Sequence, residues 1–518
     1  MNVGLYLSVY SFSFLNIVFL SSHSFARKST IEDCSLQWGR FYPSSMSEVI
    51  VRMPPSPTGG LHLGTARTAL FNYLFAKHHN GKIIFRWEDT DKERSKKEFE
   101  TEILDGLLWL GMDFEKESSH FFRQSENKEV HTQWLEKLWE TGKVFPCFRT
   151  PEEIDAQRKN AMAKKTNFVF WSPFRDETKE ILEARMKTGE KFVWRLRTTK
   201  DQDIQFTDLI RGDISVNTNT LGDFVVARGG GSVLYLLANV VDDWTQGVTH
   251  VLRGEDHISN TPKQILLYQA IEANLPQFGH IPLVLDAQKR KLSKRNVDPD
   301  TCVLIKDFQE KGFLPEAVVN GLVLLGWNPK STEEVFSFNQ LVDAFDLSNV
   351  NPGAAQYNFD KMKWFNTHWI RSIDIETLAK HFAEFSGKKC DKKVLDVARE
   401  KSRDLHDISA QLEYLINDPG IDTKLLLSEK MNIDQTMVQR VLLAIQTMLE
   451  EVNENEFNRE KIRKVAAEKI AELEVKNGQF LSPFRIALSN RPVSVGPFEI
   501  AEVLGKEESL RRIKRALK

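Results

Sequence analysis

Two short segments, far apart in the chain, carry residue types that suit the binding of a polyphosphate. The first is PPSPTGGLHLGT, Pro54 to Thr65, whose glycines let the backbone approach a ligand closely. His62 stands in it where a helix is predicted to begin, and helix N-termini attract phosphate groups. The second is KRKLSKR at 289–295, with five cationic side chains around Ser293. Such groups donate to phosphate oxygens and neutralise their charge during transfer.

Each segment alone has an ordinary explanation. A turn rich in proline and glycine with one histidine is usually only a turn, and a basic run is more often a solvated surface. Both segments in one chain, in this order, are much harder to obtain by chance. We therefore interpret them together as an ATP-handling site whose catalysis is electrostatic rather than nucleophilic.

The elements that must position these residues form a strand, a tight turn and a helix. Apolar residues predict a strand at Val49 to Met53, and apolar residues at helical spacing predict a helix after His62 that ends near Gly81. A second strand is predicted at Lys82 to Trp87. Ligands of doubly wound sheets collect at the carboxyl ends of the strands, so we expect the site there.

The two segments resemble the HIGH-type and KMSKS-type motifs of class I aminoacyl-tRNA synthetases, here written HLGT and KLSKR. Three further segments resemble the glutamyl branch of that family: FRWEDTD from Phe85, LYLLANVVDD from Leu234 and THVLRGEDHISNTPKQ from Thr249. The resemblance covers roughly residues 48–330 and continues in NPGAAQYNFDKMKWFN at 351–366. It implies an α/β fold: a Rossmann-like catalytic domain, an inserted α+β acceptor-binding domain and an α-helical C-terminal anticodon-binding region.

Combining the resemblance with local patterns gives a predicted domain order. A capping box at Thr150 predicts a helix in the insertion, and strand-like runs follow at Phe192 to Arg197, Ile204 to Asp208 and Ile214 to Asn217. From about Asp374 the pattern is almost wholly helical. The predicted segments are a leader (1–46), the first catalytic half (47–130), the tRNA acceptor-binding insertion (131–233), the second catalytic half (234–288), the KLSKR loop with a stem-contact region (289–373) and the anticodon-binding region (374–518).

A pocket selective for glutamate needs cations for two carboxylates and an anion for the ammonium group. Arg52, Glu88 and Arg253 are predicted at strand ends beside the matched motifs. Without those motifs, surface ion pairs and core packing would be the simpler interpretations. The resemblance implies that the amino-acid pocket is lined by Arg52, Ser56, Glu88, Tyr235, Asn239 and Arg253. It places Glu88 against the α-ammonium group and leaves open which arginine binds which carboxylate.

The resemblance also implies the ATP-binding residues. The catalytic residues expected from it are His62, Lys291 and Lys294. The full predicted ATP-binding set is His62, Gly64, Asp256, Leu283, Val284, Lys291, Ser293 and Lys294. The expected reaction joins L-glutamate to tRNA(Glu) through a glutamyl-adenylate, with ATP and Mg²⁺ and without a covalent enzyme intermediate.

Composition permits this interpretation without establishing it. The chain has 518 residues, 41% of them apolar and 27% charged, and a formal net charge of −2. These values are ordinary for a multidomain soluble protein and give no sign of a nucleic-acid ligand. The C-terminal run RRIKRALK is interpreted as the polar side of a last helix rather than as a binding patch. The four cysteines are scattered, and only Cys147 lies in the insertion, so we predict neither disulfides nor zinc.

The N-terminal segment is predicted to be a leader. Leu5 to Leu20 is apolar and uncharged, basic residues follow at 27–28, and no acidic residue precedes Glu32. With the family resemblance, this predicts a presequence and a location in the mitochondrial matrix; a wrongly assigned leader is the competing explanation. No stable membrane association and a monomer are expected.

Three alternatives stay open at this point: tRNA(Gln) as a second substrate, a glutaminyl enzyme, and a catalytically silent tRNA-binding relative.

Overall fold

The computed structural model describes residues 48–91, 93–114, 121–293, 295 and 298–518. The predicted leader and the predicted catalytic Lys294 therefore lie outside the described residues. The strands are β1 Ile50–Met53, β2 Lys82–Trp87, β3 Phe121–Arg123, β4 Val144–Cys147, β5 Val193–Leu196, β6 Asp203–Asp208, β7 Gly212–Asn217, β8 Val225–Arg228, β9 His250–Gly254, β10 Gln277–Ile281, β11 Val284–Leu285 and β12 Ala355–Gln356.

Helices connect these strands and make up the C-terminal part. Up to β12 they are α1 Leu63–His78, α2 Lys97–Trp109, α3 Lys128–Glu140, α4 Pro151–Ala163, α5 Lys179–Lys187, α6 Tyr235–Thr245, α7 Thr261–Ala270, α8 Ile305–Glu310, α9 Pro315–Val323 and α10 Phe338–Ala344. After it they are α11 Phe359–Ser372, α12 Ile375–Ser386, α13 Lys392–Arg399, α14 Leu405–Ile416, α15 Gln435–Glu451, α16 Arg459–Glu472, α17 Asn477–Ser489 and α18 Pro497–Ala516. The predicted α/β fold class with a helical C-terminal region is confirmed.

The catalytic part is built on parallel strands. β1, β2 and β3 pair in parallel, and β9, β10 and β6 form a second parallel set with β7 antiparallel at its edge. The two sets lie side by side, because the Thr249 amide donates to the Ile50 carbonyl at 2.9 Å. The spatial order is therefore β3-β2-β1-β9-β10-β6-β7. The chain reverses direction of winding between β1 and β9, which is where ligands of such sheets bind.

Helix α1 is buried on most sides, unlike a surface helix. Its apolar residues pack into the main core, and even Arg67 is buried. The Arg67 guanidinium donates to the Pro282 carbonyl and, at 2.8 Å, to the Leu325 carbonyl. The first bond ties the helix that begins in HLGT to the chain before KLSKR, and the second ties it to the segment after α9.

The predicted capping box and strands of the insertion are present. The Thr150 hydroxyl accepts from the Glu153 amide and opens α4. β4, β5 and β8 form an antiparallel sheet, whereas the β6–β7 hairpin pairs with β10 of the catalytic sheet. The domain boundaries themselves stay a prediction. Strand pairing nevertheless shows that the hairpin, although it falls within 131–233, is part of the catalytic sheet.

The C-terminal helices enclose a second hydrophobic core. Residues 511–516 of the basic C-terminal run lie in α18, as a last helix predicts, but not all of them lie on its polar side. Arg512 is buried and donates to the carbonyls of Tyr414 and Leu488, while Arg511 and Arg515 both pair with Asp418. In the described part of the chain, no helix is both long enough and apolar enough to cross a membrane.

Candidate active site

The two predicted pocket arginines lie on the neighbouring strands β1 and β9. Arg52 is buried, and its Nη1 donates to the Leu252 carbonyl at 3.2 Å while its Nε lies 3.4 Å from a carboxylate oxygen of Asp243. Arg253 is also buried and pairs in register with His280 of β10. The sheet therefore brings together two cations that are 201 residues apart in sequence, in a place where their charges are costly to bury without an anion.

Arg253 is held by neutral groups. Its Nε donates to His280 Nε2 at 3.2 Å, and its Nη2 donates to Thr261 Oγ1 at 2.9 Å and Gln264 Oε1 at 2.7 Å. Its Nη1 is buried and has no hydrogen-bond partner among the described residues. Burial lowers the pKa of Arg253, but a guanidinium stays charged in proteins. An unpaired buried N–H on a cation is a natural site for a ligand carboxylate.

Glu88 is the anion that the sequence predicts for the pocket. It follows β2 directly, and its Oε1 accepts from Asn239 Nδ2 of α6 at 2.7 Å and lies 3.6 Å from Arg86 Nη2. Burial raises the pKa of Glu88, and the charges of Arg86 and Arg52 oppose that rise. Asn239 in turn accepts from Gln264 at 3.0 Å. Glu88 and Arg253 are thus ends of one hydrogen-bonded chain through Asn239 and Gln264.

The two other predicted pocket residues differ in their surroundings. The Tyr235 hydroxyl lies 3.4 Å from His257 Nδ1, and burial together with the charge of Glu88 raises the pKa of Tyr235 to about 12. It is therefore a neutral hydrogen-bonding group at physiological pH. Ser56 is exposed in the turn after β1, where its carbonyl accepts from the Thr58 amide at 2.8 Å. It lies just after the carboxyl end of β1, and its role at the pocket edge stays a prediction.

His62 is the N-cap residue of α1. Its Nδ1 accepts from the Gly64 amide at 3.2 Å, so the neutral ring carries its proton on Nε2. The turn is held from both sides by the segment after KLSKR: Leu63 donates to the Val303 carbonyl at 2.8 Å, and Ile305 donates to the Leu61 carbonyl at 2.9 Å. Backbone hydrogen bonds therefore join the first motif to the segment that follows the second.

The KLSKR segment begins in a hairpin with β11. The Leu292 amide donates to the Val284 carbonyl at 2.9 Å, and Lys291 Nζ donates to Asp256 Oδ2 at 3.1 Å. Partial burial of Asp256 favours a higher pKa, but the hydrogen bond and the charge of Lys291 outweigh it, and the pKa of Asp256 is lowered. The Leu283 amide donates to Glu255 Oε1 at 2.6 Å. The described ATP-site candidates of this segment thus converge, and Ser293 follows them in irregular, partly exposed structure.

Several residues of this site were not predicted individually. Asp243 accepts from Arg86 at 2.6 Å and lies beside Arg52, so one carboxylate bridges two buried arginines. Asp242 next to it accepts from His131 and Gln124. Both aspartates lie in the quoted LYLLANVVDD segment. The motif was recognised, but nothing in it showed that these side chains would face long-range partners.

Metal-ligating side chains are not clustered in the described residues. Within those residues, no group of three His, Cys, Asp or Glu side chains could hold a metal ion. Cys147 is buried and accepts a hydrogen bond from the Ser172 hydroxyl at 3.3 Å. The absence of zinc stays a prediction.

Known proteins are similar to this chain over most of its length. Residues 48–364 match the family model described as tRNA synthetases class I (E and Q), catalytic domain, and residues 368–517 match an anticodon binding domain. Glutamate–tRNA ligase 1 of Caldanaerobacter subterraneus subsp. tengcongensis is 38% identical over 490 residues, covering 91% of this chain and 98% of that one. The glutamate–tRNA ligase of Aquifex aeolicus is 39% identical over 484 residues, covering 91% and 99%.

A solved structure gives the same result in three dimensions. The crystal structure of a glutamate tRNA ligase from Elizabethkingia meningosepticum, in complex with its amino acid, superposes with a TM-score of 0.79 at 31% identity. The match covers 91% of this chain and 99% of that one. The similarity therefore extends through both the catalytic and the helical regions.

Proposed function

This chain belongs to the class I tRNA synthetases of the glutamyl and glutaminyl type and is a ligase enzyme, and from that premise we propose that it attaches L-glutamate to tRNA(Glu) through a glutamyl-adenylate. The observation that carries the choice of amino acid is the buried Arg253, whose Nη1 lacks a partner among the described residues. Glu88, at the other end of the same hydrogen-bonded chain, supplies the opposite charge.

These charges fit the three ionised groups of free glutamate. Arg253 and Arg52 supply cations for the two carboxylates, and Glu88 supplies an anion for the ammonium group. Tyr235 stays protonated and donates a hydrogen bond from its hydroxyl. A neutral amide in place of the side-chain carboxylate would leave a buried cation without its counterion, which disfavours glutamine.

Activation needs positioning and charge neutralisation rather than a nucleophilic side chain. An oxygen of the glutamate α-carboxylate attacks the α-phosphorus of ATP, and the bond to the β-phosphate oxygen breaks to release pyrophosphate. We assign His62 Nε2–H and Lys291 to the phosphate oxygens, together with Lys294. A ribose hydroxyl at the tRNA terminus then attacks the activated carbonyl carbon, and AMP leaves.

Magnesium accompanies the nucleotide in this proposal. The described carboxylates beside the predicted phosphates, Glu255 and Asp256, already accept hydrogen bonds from Leu283 and Lys291. They offer no ready set of ligands for a resident ion. We therefore treat Mg²⁺ as part of the ATP substrate and assign no step to it.

We further propose that the enzyme works in the mitochondrial matrix. The support is the composition of residues 1–46, which are apolar near the start, basic at 27–28 and precede the family match that begins at residue 48. The helical C-terminal region supports the glutamyl assignment against a glutaminyl enzyme, whose family members have β-barrels there. A second activity on tRNA(Gln) and the monomeric state are part of the same proposal.

One charging assay tests these assignments. Residues 48–518 are incubated with ATP, labelled glutamate and, separately, mitochondrial tRNA(Glu) and tRNA(Gln), and labelled glutamine serves as the competing amino acid. Glutamylation of both tRNAs is the expected result. Glutamylation of tRNA(Glu) alone refutes the proposed activity on tRNA(Gln). Charging with glutamine in preference to glutamate refutes the proposed selectivity of the pocket for glutamate. A fluorescent protein fused behind residues 1–47 tests the location: fluorescence outside mitochondria contradicts it.

A further inference from the structure

A buried pair, Asp208 and His280, lies next to Arg253 and contacts it through the His280 ring. We propose that this pair is a positioning device: it fixes the proton on one nitrogen of His280 so that the other nitrogen must accept from Arg253. The guanidinium is thereby held with Nη1 available for the glutamate carboxylate. The inference rests on the proposed function and extends it to residues outside the predicted pocket.

The contact between the two side chains is short and enclosed. Asp208 Oδ2 lies 2.5 Å from His280 Nδ1, and Asp208 Oδ1 accepts from the backbone amide of His280 at 3.2 Å. The amides of Ile210 and Arg211 each donate to the same oxygen at 3.0 Å. Both side chains are fully buried. Burial of Asp208 favours a higher pKa, but the hydrogen bonds from His280 and these amides outweigh it. The pKa of Asp208 is therefore lowered, and its carboxylate is ionised.

An ionised carboxylate can only accept hydrogen bonds, and this determines the histidine tautomer. His280 Nδ1 must carry a proton, and Nε2 is then an acceptor as long as the ring is neutral. Burial and the nearby charge of Arg253 lower the pKa of His280, although its bond to Asp208 opposes that change. Nε2 lies 3.2 Å from Arg253 Nε and 3.0 Å from Thr261 Oγ1. The other tautomer would place two donors against each other at Arg253 Nε.

The three side chains that accept hydrogen bonds from Arg253 are uncharged. His280, Thr261 and Gln264 hold three of its N–H directions, and no ion pair of Arg253 occurs in the described part of the chain. The carboxylate of Asp208 acts only through the imidazole, one group removed. A carboxylate in direct contact would compete with the substrate for the guanidinium, whereas this arrangement orients the cation and leaves its charge for the ligand.

Two substitutions of one residue separate positioning from simple packing. An asparagine amide at 280 keeps a donor near the Nδ1 position, facing Asp208, but loses the acceptor for Arg253. A glutamine reaches the Nε2 position and keeps an acceptor for Arg253. In the full chain, His280→Asn is expected to raise the Kd of glutamate about tenfold, the loss of about one hydrogen bond to a charged group, and His280→Gln to raise it by less than about threefold.

The measurements are glutamate Kd by calorimetry, and kcat with the separate KM values for glutamate and ATP in the charging assay. The proposal requires the KM of glutamate to follow Kd while that of ATP stays within about twofold of the parent's. Equal glutamate affinity in His280→Asn and the parent overturns it, as does a glutamine variant no better than the asparagine variant. Failure of the parent to bind glutamate would instead refute the proposed function.

A second pair of variants guards against loss of folding. Thr261→Val removes a neutral acceptor of Arg253, and Thr198→Val makes the same change at another fully buried threonine, whose hydroxyl donates to the Gly222 carbonyl at 2.8 Å. Both are expected to lower the melting temperature. Only Thr261→Val is expected to raise the glutamate Kd, by about threefold or more. Equal effects of the two variants on Kd would overturn the positioning role.

Discussion

Replacing Arg253 by glutamine tests the central feature of the proposed pocket, a buried cation that has no ion-pair partner among the described residues. The guanidinium makes three hydrogen bonds to neutral acceptors, and glutamine replaces them incompletely. His280 Nε2 still accepts from the Thr261 hydroxyl, so the main new unsatisfied acceptor is Gln264 Oε1. One such acceptor costs about 1–3 kcal/mol of folding stability.

The loss in binding is a separate quantity. A hydrogen bond between a charged donor and a carboxylate contributes about 1.5–3 kcal/mol, so the Kd of glutamate is expected to rise roughly 10- to 150-fold. If Arg253 binds the side-chain carboxylate, the preference for glutamate over glutamine falls by the same factor. If it binds the α-carboxylate, the affinities of both amino acids fall together. The ratio of the glutamate and glutamine affinities therefore shows which carboxylate Arg253 binds.

Calorimetric titration of glutamate and of glutamine into the folded variant is the assay. Arg512→Gln is the control at a distance from the pocket, because Arg512 is also buried and donates to the backbone carbonyls of Tyr414 and Leu488 in the C-terminal core, although it pairs with Glu508 as well. It is expected to lose stability and keep its glutamate affinity. A folded Arg253→Gln protein that binds glutamate as tightly as the parent refutes the reasoning.

Three further predictions concern other parts of the chain. His62→Asn and His62→Ala both remove the imidazole, so charging should slow about 100-fold in each. Only His62→Ala also removes the cap acceptor for the Gly64 amide, so only this variant should lose about 1 kcal/mol of folding stability. Unequal charging rates in the two variants would contradict this role of His62. Lys291→Ala should lower kcat far more than glutamate affinity, because its charge matters most as pyrophosphate leaves, and Lys291→Arg should restore part of the rate; matched losses of kcat and affinity argue against that role. Hydrogen bonds from Arg511 lower the pKa of Glu508 to about 2 in the folded protein, compared with 4.5 in the unfolded chain. The ionised Glu508 therefore stabilises the fold fully above about pH 4.5, and this stabilisation disappears as the pH falls towards 2. Glu508→Gln should therefore cost about 1 kcal/mol at pH 7 and about half of that or less at pH 3 in urea unfolding, and an equal cost at both pH values would exclude this ionisation.

The elements around the first motif could be predicted because their signals are local. The strand predicted at Val49 to Met53 is Ile50–Met53, and the strand at Lys82 to Trp87 has the predicted bounds. Helix α1 ends at His78, three residues before the predicted end, and the chain then turns through Asn80 with a φ of 51°. Glycine, capping residues and apolar spacing lie within a few residues of each boundary, so a single sequence reveals them.

The polar network next to Arg253 had no such signal. Asp208 and His280 are 72 residues apart, and each lies in a strand whose neighbours suggest only a sheet. Their meeting depends on the parallel pairing of β6 with β10, which brings Phe278 opposite Asp208. Strand order is a property of the whole fold, and alternation within one strand cannot predict it. The arginines could be predicted from the motifs, but not their partners.

The attachment of the β6–β7 hairpin to the catalytic sheet limits how this enzyme can be recombined with its relatives. A chimera that exchanged the entire stretch from β4 to β8 would also exchange residue 208 and so replace the partner of His280. A deletion of the same stretch would leave the edge of β10 unpaired, and an unpaired edge strand invites aggregation. Junctions that keep Asp203–Asn217 with the host would exchange the β4-β5-β8 sheet and its helices while retaining the contact between Asp208 and His280.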